Sequence, residues 1–135
     1  LALKFKIKTD TGDESKELGS DDIDYQINSI LSKNFTKNTT LHLNIGYTFI
    51  GESSSDDVFN YSFALENFVN DKLNLVGELS GETTFEGGFD DNPFEVLLGF
   101  NYALTDISVI DAGISIGLSD ASPDYKITTG ITIGF

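Results

Sequence analysis

The sequence contains no cysteine, no methionine and no tryptophan, and it has two prolines and a single histidine. Without cysteine the chain forms neither disulfides nor thiolate metal sites. No apolar run approaches the ~18 residues that a transmembrane helix requires, so a helical membrane span is excluded. Basic residues are scarce as well, with 8 Lys and Arg against 22 Asp and Glu and a formal net charge of −14. Nucleic acid is therefore excluded as a partner, because binding to phosphates requires a basic surface.

What the sequence does contain is strict alternation of apolar and polar residues, which is clearest at its carboxy-terminal end. A tilted strand of about ten such residues can cross a bilayer, with its apolar face toward lipid and its polar face toward a barrel lumen. The chain then ends on an aromatic residue, as terminal strands recognised by the barrel-assembly machinery do. The apolar set is Tyr125, Ile127, Ile131, Ile133 and Phe135, and the polar set is Lys126, Thr128, Gly130, Thr132 and Gly134. We identify Ile131, Ile133 and Phe135 as a predicted assembly signal.

The same alternation recurs in eight segments along the chain, and a period of two is typical of half-exposed strands and not of helices. We therefore predict an all-β fold, an antiparallel up-and-down transmembrane β-barrel with eight strands in this chain. Residues 1–135 form one domain in this interpretation. The segments are 2–9, 23–35, 39–50, 58–68, 73–85, 94–104, 107–118 and 125–135.

Long and short connections alternate between these segments, which is typical of outer-membrane barrels with their long loops outside the cell. The long ones, 10–22, 51–57, 86–93 and 119–124, are rich in acidic residues. Aromatic residues fall in two bands, as the two membrane interfaces favour; a soluble β-sandwich, the alternative, needs no second band. The outer band is Tyr25, Tyr47, Phe49, Phe59, Tyr61, Phe94 and Tyr125, and the inner band is Phe35, Phe68, Phe100, Tyr102 and Phe135.

The stretch from Gly117 to Tyr125, followed by Gly130 and Phe135, resembles the end of the family described as "putative MetA-pathway of phenol degradation", a family of outer-membrane transporter-like barrels. The segments Gly46-Tyr47-Thr48 and Leu98-Gly99-Phe100-Asn101-Tyr102 are similar to it as well. The resemblance implies a transport role and offers no catalytic residues. Members are usually longer, and this chain opens in mid-strand without a signal peptide. We therefore expect an upstream segment, either a signal peptide alone or additional strands that would make this chain the carboxy-terminal part of a larger barrel.

Alternation places charged side chains and the one histidine on the predicted lumen face. In a closed barrel of eight strands the interior is just filled by side chains, so these charges would have to pair into a plug. In a larger barrel the same residues would line water and tune solute selectivity. Both interpretations fit the sequence. The lumen-lining candidates are Lys4, Lys6, Lys8, His42, Glu66, Glu78, Glu82, Glu95, Asp111 and Lys126.

No catalytic site is predicted, because no second catalytic element stands at a recognisable spacing from His42. The acidic runs Asp10–Glu14 and Asp90–Asn92 lack the full spacing of a calcium-binding EF-hand loop, so we expect no metal and no cofactor. They are interpreted as solvated loops, with divalent-cation bridging to lipopolysaccharide phosphates as the alternative.

We expect a passive channel or transporter for small solutes, hydrophobic ones among them, in the bacterial outer membrane. The expected partners are membrane lipid, lipopolysaccharide and the barrel-assembly machinery. The alternative is a non-conducting barrel that anchors or sheathes another envelope protein. The width of the lumen distinguishes these two functions, because a channel needs an open lumen and a non-conducting barrel does not.

Overall fold

The computed structural model describes residues 1–9, 11, 22–52, 55–85 and 88–135, and these are almost entirely β-structure. A one-turn 3-10 helix, Phe89–Asp91, is the helical part, and no helix within the described ranges is long and apolar enough to cross a membrane. The strands coincide with the eight predicted segments and differ from them only at their ends. They are β1 (Ala2–Lys8), β2 (Asp24–Asn34), β3 (Thr39–Phe49), β4 (Val58–Phe68), β5 (Leu73–Thr83), β6 (Phe94–Thr105), β7 (Ser108–Gly117) and β8 (Tyr125–Ile133).

The strands form one sheet in sequence order, and each strand is antiparallel to the next. This up-and-down order confirms the predicted all-β fold class. A register shift between Ala103 and Thr105 interrupts the β6–β7 ladder near its turn. Within the described residues the ladders run from β1 to β8, and none of them joins β8 back to β1.

The register gathers the polar residues of every strand on one face of the sheet. Lys4 lies opposite Asn28, and Asn28 lies opposite Gly46 on the next strand. Because successive side chains of a strand point to opposite faces, residues that pair directly share a face. Lys4 of β1 and Lys126 of β8 line the same cavity, although their strands stand at opposite ends of the sheet. The sheet is therefore curled, with the polar face on the concave side.

The distribution of apolar and polar side chains in this sheet is the reverse of that in a soluble domain. Among the described residues, Ala64 is the one buried hydrophobic residue, and the buried polar residues are Ser62, Asn74 and Ser115. Soluble domains bury large apolar side chains and expose polar ones. Here the large apolar side chains of the convex face are exposed instead, and Leu98, for example, is 64% exposed. The part of the chain that the structure describes has no apolar core of the kind that a β-sandwich requires.

The connections alternate in length as predicted, so that long loops lie at one end of the sheet and tight turns at the other. The tight turns follow β2, β4 and β6, and the long loops follow β1, β3, β5 and β7. Much of the β1–β2 connection, including most of the acidic run at 10–14, lies outside the described residues. In the β3–β4 loop, the Asp57 carboxylate accepts hydrogen bonds from the Ile50 backbone N–H at 2.9 Å and from the Tyr47 hydroxyl at 3.2 Å.

Candidate functional site

The concave face encloses a polar cavity of about 410 Å³ in the half of the sheet nearer the long loops. Its charged lining consists of Lys4, Glu82, Glu95 and Lys126, all of them predicted lumen residues. Neutral polar groups fill the wall between them, and Asn44 donates a 2.8 Å hydrogen bond to the Ser62 hydroxyl across the β3–β4 ladder. The amide and serine side chains of the lining are Gln26, Asn28, Asn44, Asn60, Ser62 and Ser80, and Tyr61, Gly81 and Pro93 complete it.

Two further cavities continue the polar face beyond the first one. A cavity of about 270 Å³ is lined by Glu66 and Asp111, and one of about 170 Å³ by Lys6 and Lys8. Glu78 shares the concave face by register, since it lies opposite Ala64 and Leu97. The predicted lumen residues thus share one face, and the space in front of them is not filled by side chains.

Ion pairs on this face run along the wall. Lys8 Nζ lies 2.8 Å from Asp24 Oδ2 on the neighbouring strand. Lys126 Nζ lies 3.0 Å from Glu95 Oε2, and this pair spans β7 above Ser115, which is only 3% exposed. Neither pair, and none of the other ion pairs between described residues, crosses from one wall to the opposite wall. The plug of ion pairs that a filled barrel would require is absent from the described part of the chain.

His42 has two partners that the sequence did not reveal as neighbours. Ser32 Oγ is hydrogen-bonded to His42 Nδ1 at 2.8 Å, and Glu66 Oε2 lies 3.5 Å from His42 Nε2. A hydroxyl, an imidazole and a carboxylate are also the groups of a nucleophilic triad. Ser32 and His42 pair directly in the β2–β3 ladder, and Glu66 lies on the neighbouring strand β4. The Ser32 hydroxyl fixes one side of the imidazole by its hydrogen bond, and the Glu66 carboxylate lies beside the other.

An aromatic pocket of about 330 Å³ lies at the long-loop end of β4–β6. We use this name for the space lined by the rings of Tyr61, Phe85, Phe89 and Phe94. The ring centroids of Phe89 and Phe94 lie 5.5 Å apart, and those of Tyr61 and Phe94 lie 6.4 Å apart. Phe94 and Tyr61 were predicted as rim residues. Phe85 was predicted as the end of the alternating segment 73–85, whereas β5 ends at Thr83. Phe89 was missed because it lies between segments, where alternation gives no signal.

Side-chain hydrogen bonds join the described residues of the β5–β6 loop, which carries this pocket. The Asn92 side chain accepts from the Thr84 backbone N–H at 3.2 Å and donates to the Gly88 carbonyl at 2.9 Å. Asp91 accepts from the Gly88 N–H at 2.6 Å. The Asp90–Asn92 run is thus part of the loop's own scaffold, and the described residues contain no cluster of His, Asp and Glu side chains that could hold a metal ion.

Phe85 adopts a backbone conformation that L-residues seldom take. Its φ is 64°, in the left-handed region, where residues other than glycine, asparagine and aspartate are uncommon. Such a conformation costs on the order of 1–2 kcal/mol and persists only when the surrounding structure imposes it. The ring that it places is 70% exposed and contacts Phe59, with centroids 5.6 Å apart.

The residues of the predicted assembly signal lie on the edge strand β8 or directly after it. Ile131 lies opposite Ile110, and Ile133 lies opposite Ser108. Both isoleucines and Phe135 are exposed. The strand presents its apolar side chains on the convex face, as the alternation predicted.

A comparison with curated proteins found no match for this chain. A family model described as "Putative MetA-pathway of phenol degradation" matches residues 1–135, which is the full length of the sequence. The match agrees with the resemblance carried by the stretch from Gly117 to Tyr125. The chain therefore belongs to the family described as "Putative MetA-pathway of phenol degradation".

Proposed function

We propose that the protein is a β-barrel of the bacterial outer membrane through which small solutes cross passively along the concave polar face. The observation that carries this proposal is the contrast between the two faces. Unfilled polar cavities lie on the concave side, and exposed large apolar side chains cover the convex side. An apolar surface of that extent needs an apolar surrounding, and a lipid bilayer provides it.

Strand length supports a membrane setting. Strands β2 to β5 have 11 residues each, and β6 has 12. A tilted strand needs about 9–11 residues to cross the hydrocarbon core of a bilayer. Backbone groups at an open sheet edge are not tolerated in lipid, so the proposal includes closure of the sheet through the edges of β1 and β8. Lipid, lipopolysaccharide and the barrel-assembly machinery are the partners that this setting implies.

The interior supports conduction over a purely structural role. In a closed eight-stranded barrel the interior is just wide enough for side chains to fill it. Here the concave side chains leave cavities in front of them, and the ion pairs follow the wall. Water and small solutes can occupy such a space, and the charged lining would then act on ions that pass. No chemical step is part of this function.

Single-channel recording in planar bilayers tests the proposal, with purified full-length protein inserted from detergent. Discrete, reproducible openings are expected. Replacement of the lining residue Ser80 by tryptophan is expected to reduce the conductance by partly filling the cavity. Its matched control is Leu79→Trp on the adjacent convex position, which should leave the conductance unchanged.

A correctly folded protein that never conducts would refute the transport proposal. A non-conducting barrel that anchors or sheathes another envelope component would then be the better explanation. Equal conductances for the two tryptophan variants would refute the assignment of the pathway to the concave face.

A further inference from the structure

We infer that the polar cavity of about 410 Å³ binds a small zwitterionic solute, with the solute's carboxylate at Lys4 of β1 and its ammonium group at Glu82 of β5. This solute class deepens the proposed function, and it rests on that function only for the passage of the bound solute along the lumen. Binding itself is a separate property that can be measured on the protein in detergent.

Lys4 and Glu82 are the two ends of one row of directly paired residues. Lys4 lies opposite Asn28, and Asn28 lies opposite Gly46. Gly46 lies opposite Asn60, and Asn60 lies opposite Glu82. Residues that pair directly share a face of the sheet, so the whole row lies on the concave face. The row begins with a cation on β1, ends with an anion on β5, and carries two carboxamides between them.

The charges at the two ends of the row are available to a solute. The other two charged side chains of the cavity, Lys126 and Glu95, are already paired with each other at 3.0 Å. Lys4 and Glu82 form no hydrogen bond or ion pair with any described residue. The Lys4 ammonium can therefore donate to a carboxylate of the solute, and the Glu82 carboxylate can accept from an ammonium group.

The middle of the row is neutral and keeps the two charges apart. The carboxamides of Asn28 and Asn60 both lie over Gly46, in the space that a Cβ on this residue would occupy. A carboxamide has donors and an acceptor but no charge, so it does not neutralise either end of the row. A solute whose two charges are separated by a few uncharged atoms matches this arrangement.

A solute with a single charge matches the cavity less well than a zwitterion does. An anion that is attracted by Lys4 also meets the carboxylate of Glu82, and a cation that is attracted by Glu82 also meets Lys4. Like charges placed together cost interaction energy, whereas a zwitterion places an opposite charge at both ends. The volume of about 410 Å³ lies within the range of about 300–1,000 Å³ that is usual for small-molecule sites.

The experiment is a saturation-transfer NMR titration of the detergent-solubilised full-length protein with γ-aminobutyrate at neutral pH. Two probes of similar shape carry one charge each: pentanoate, in which a methyl group replaces the ammonium group, and γ-aminobutyramide, in which an amide replaces the carboxylate. Saturable binding is expected for γ-aminobutyrate. Each of the singly charged probes should bind about two- to fivefold more weakly, which corresponds to the loss of one solvated ion pair.

Four variants locate the site and control for net charge. Lys4→Gln and Glu82→Gln should each weaken the binding of γ-aminobutyrate about two- to fivefold. The double variant Lys4→Glu, Glu82→Lys should bind it about as well as the wild type, because the solute can bind in the reverse orientation. Lys37→Gln and Glu52→Gln are the matched controls for the two single variants, since these residues lie in connections between strands and do not line the cavity. Circular dichroism verifies that every variant is folded.

Binding of γ-aminobutyrate that falls in Lys4→Gln and Glu82→Gln, and is kept in the charge-exchange variant and the two controls, supports the inference. Equal affinities for all three probes, or an unchanged affinity in either Lys4→Gln or Glu82→Gln, overturns it. Conductance recorded on the same preparation separates the two proposals: conduction without binding refutes only the zwitterion site, and binding in a silent barrel refutes only the transport function.

Discussion

Replacement of Gly99 by alanine is expected to destabilise the sheet, whereas the same change at Gly77 is expected to stabilise it. Gly99 lies opposite Gly113 in the β6–β7 ladder. A Cβ on Gly99 would lie 2.8 Å from the Ala112 carbonyl oxygen and 3.3 Å from the Gly113 Cα. Both atoms belong to the paired backbone, so neither can rotate away. A Cβ on Gly77 would meet the Leu98 Cδ2 at 3.6 Å, which is an ordinary contact.

The magnitude follows from two opposing effects. Alanine lowers the conformational entropy of the unfolded chain, which stabilises a strand by about 0.5–1 kcal/mol wherever the methyl group fits. An added methyl group in a place without room costs about 1–3 kcal/mol. Gly77→Ala should therefore gain about 0.5–1 kcal/mol in free energy of unfolding. The free energy of unfolding of Gly99→Ala should be lower than that of Gly77→Ala by the overpacking cost, about 1–3 kcal/mol.

The assay is equilibrium unfolding by urea of the two variants and the wild type in the same lipid vesicles. Far-ultraviolet circular dichroism reports loss of the sheet, which suits a chain without tryptophan. The expected order of unfolding midpoints is Gly77→Ala, wild type, Gly99→Ala, from highest to lowest. Equal midpoints for the two variants, or the reverse order, would refute the close approach of β6 and β7 at this position.

Three further predictions concern assembly in the membrane, the stabilising effect of the Glu95–Lys126 ion pair, and ion selectivity. If Phe135 belongs to the proposed assembly signal, Phe135→Ser should sharply lower the yield of folded protein in isolated outer membranes; an undiminished yield would contradict that role. Glu95→Gln breaks the 3.0 Å ion pair with Lys126, in which the Glu95 side chain is 18% exposed and the Lys126 side chain 50% exposed. Because the pair is partly solvated, the free energy of unfolding measured by urea titration should fall by no more than about 1 kcal/mol. A much larger loss would show that this pair is buried in a packed interior. The excess of acidic residues predicts a cation-selective reversal potential in a salt gradient. The double variant Lys4→Gln, Lys6→Gln should increase that cation selectivity. Anion selectivity would contradict the assignment of the charged concave side chains to the pathway.

Strand positions and faces could be predicted from the sequence because both depend on a local period. In β3, for example, Leu43 and Ile45 alternate with His42 and Asn44, and this pattern alone assigns each residue to a face. Tight turns and long loops were equally readable, since they are the gaps between alternating segments. The terminal strand was the clearest case, and the structure places Ile131 and Ile133 on the convex face as predicted.

Neighbours across strands could not be predicted in the same way. Ser32 and Glu66 meet His42 because of the β2–β3 and β3–β4 registers. A shift of one residue in either turn would have given other partners. The Lys126–Glu95 pair shows the same limit more strongly, since it joins β8 to β6 over an intervening strand. No periodicity within a strand specifies such a contact.

The sequence by itself determined an all-β chain of eight antiparallel strands with one apolar and one polar face, since alternation is a property of each strand alone. The tertiary structure decided which side chains meet on the concave face, and that the space between them stays open. It also brought the rings of Phe85 and Phe89 beside Phe94. These outcomes depend on the curl of the sheet and on hydrogen bonds between loops far apart in the chain, and they exist only once the strands have paired.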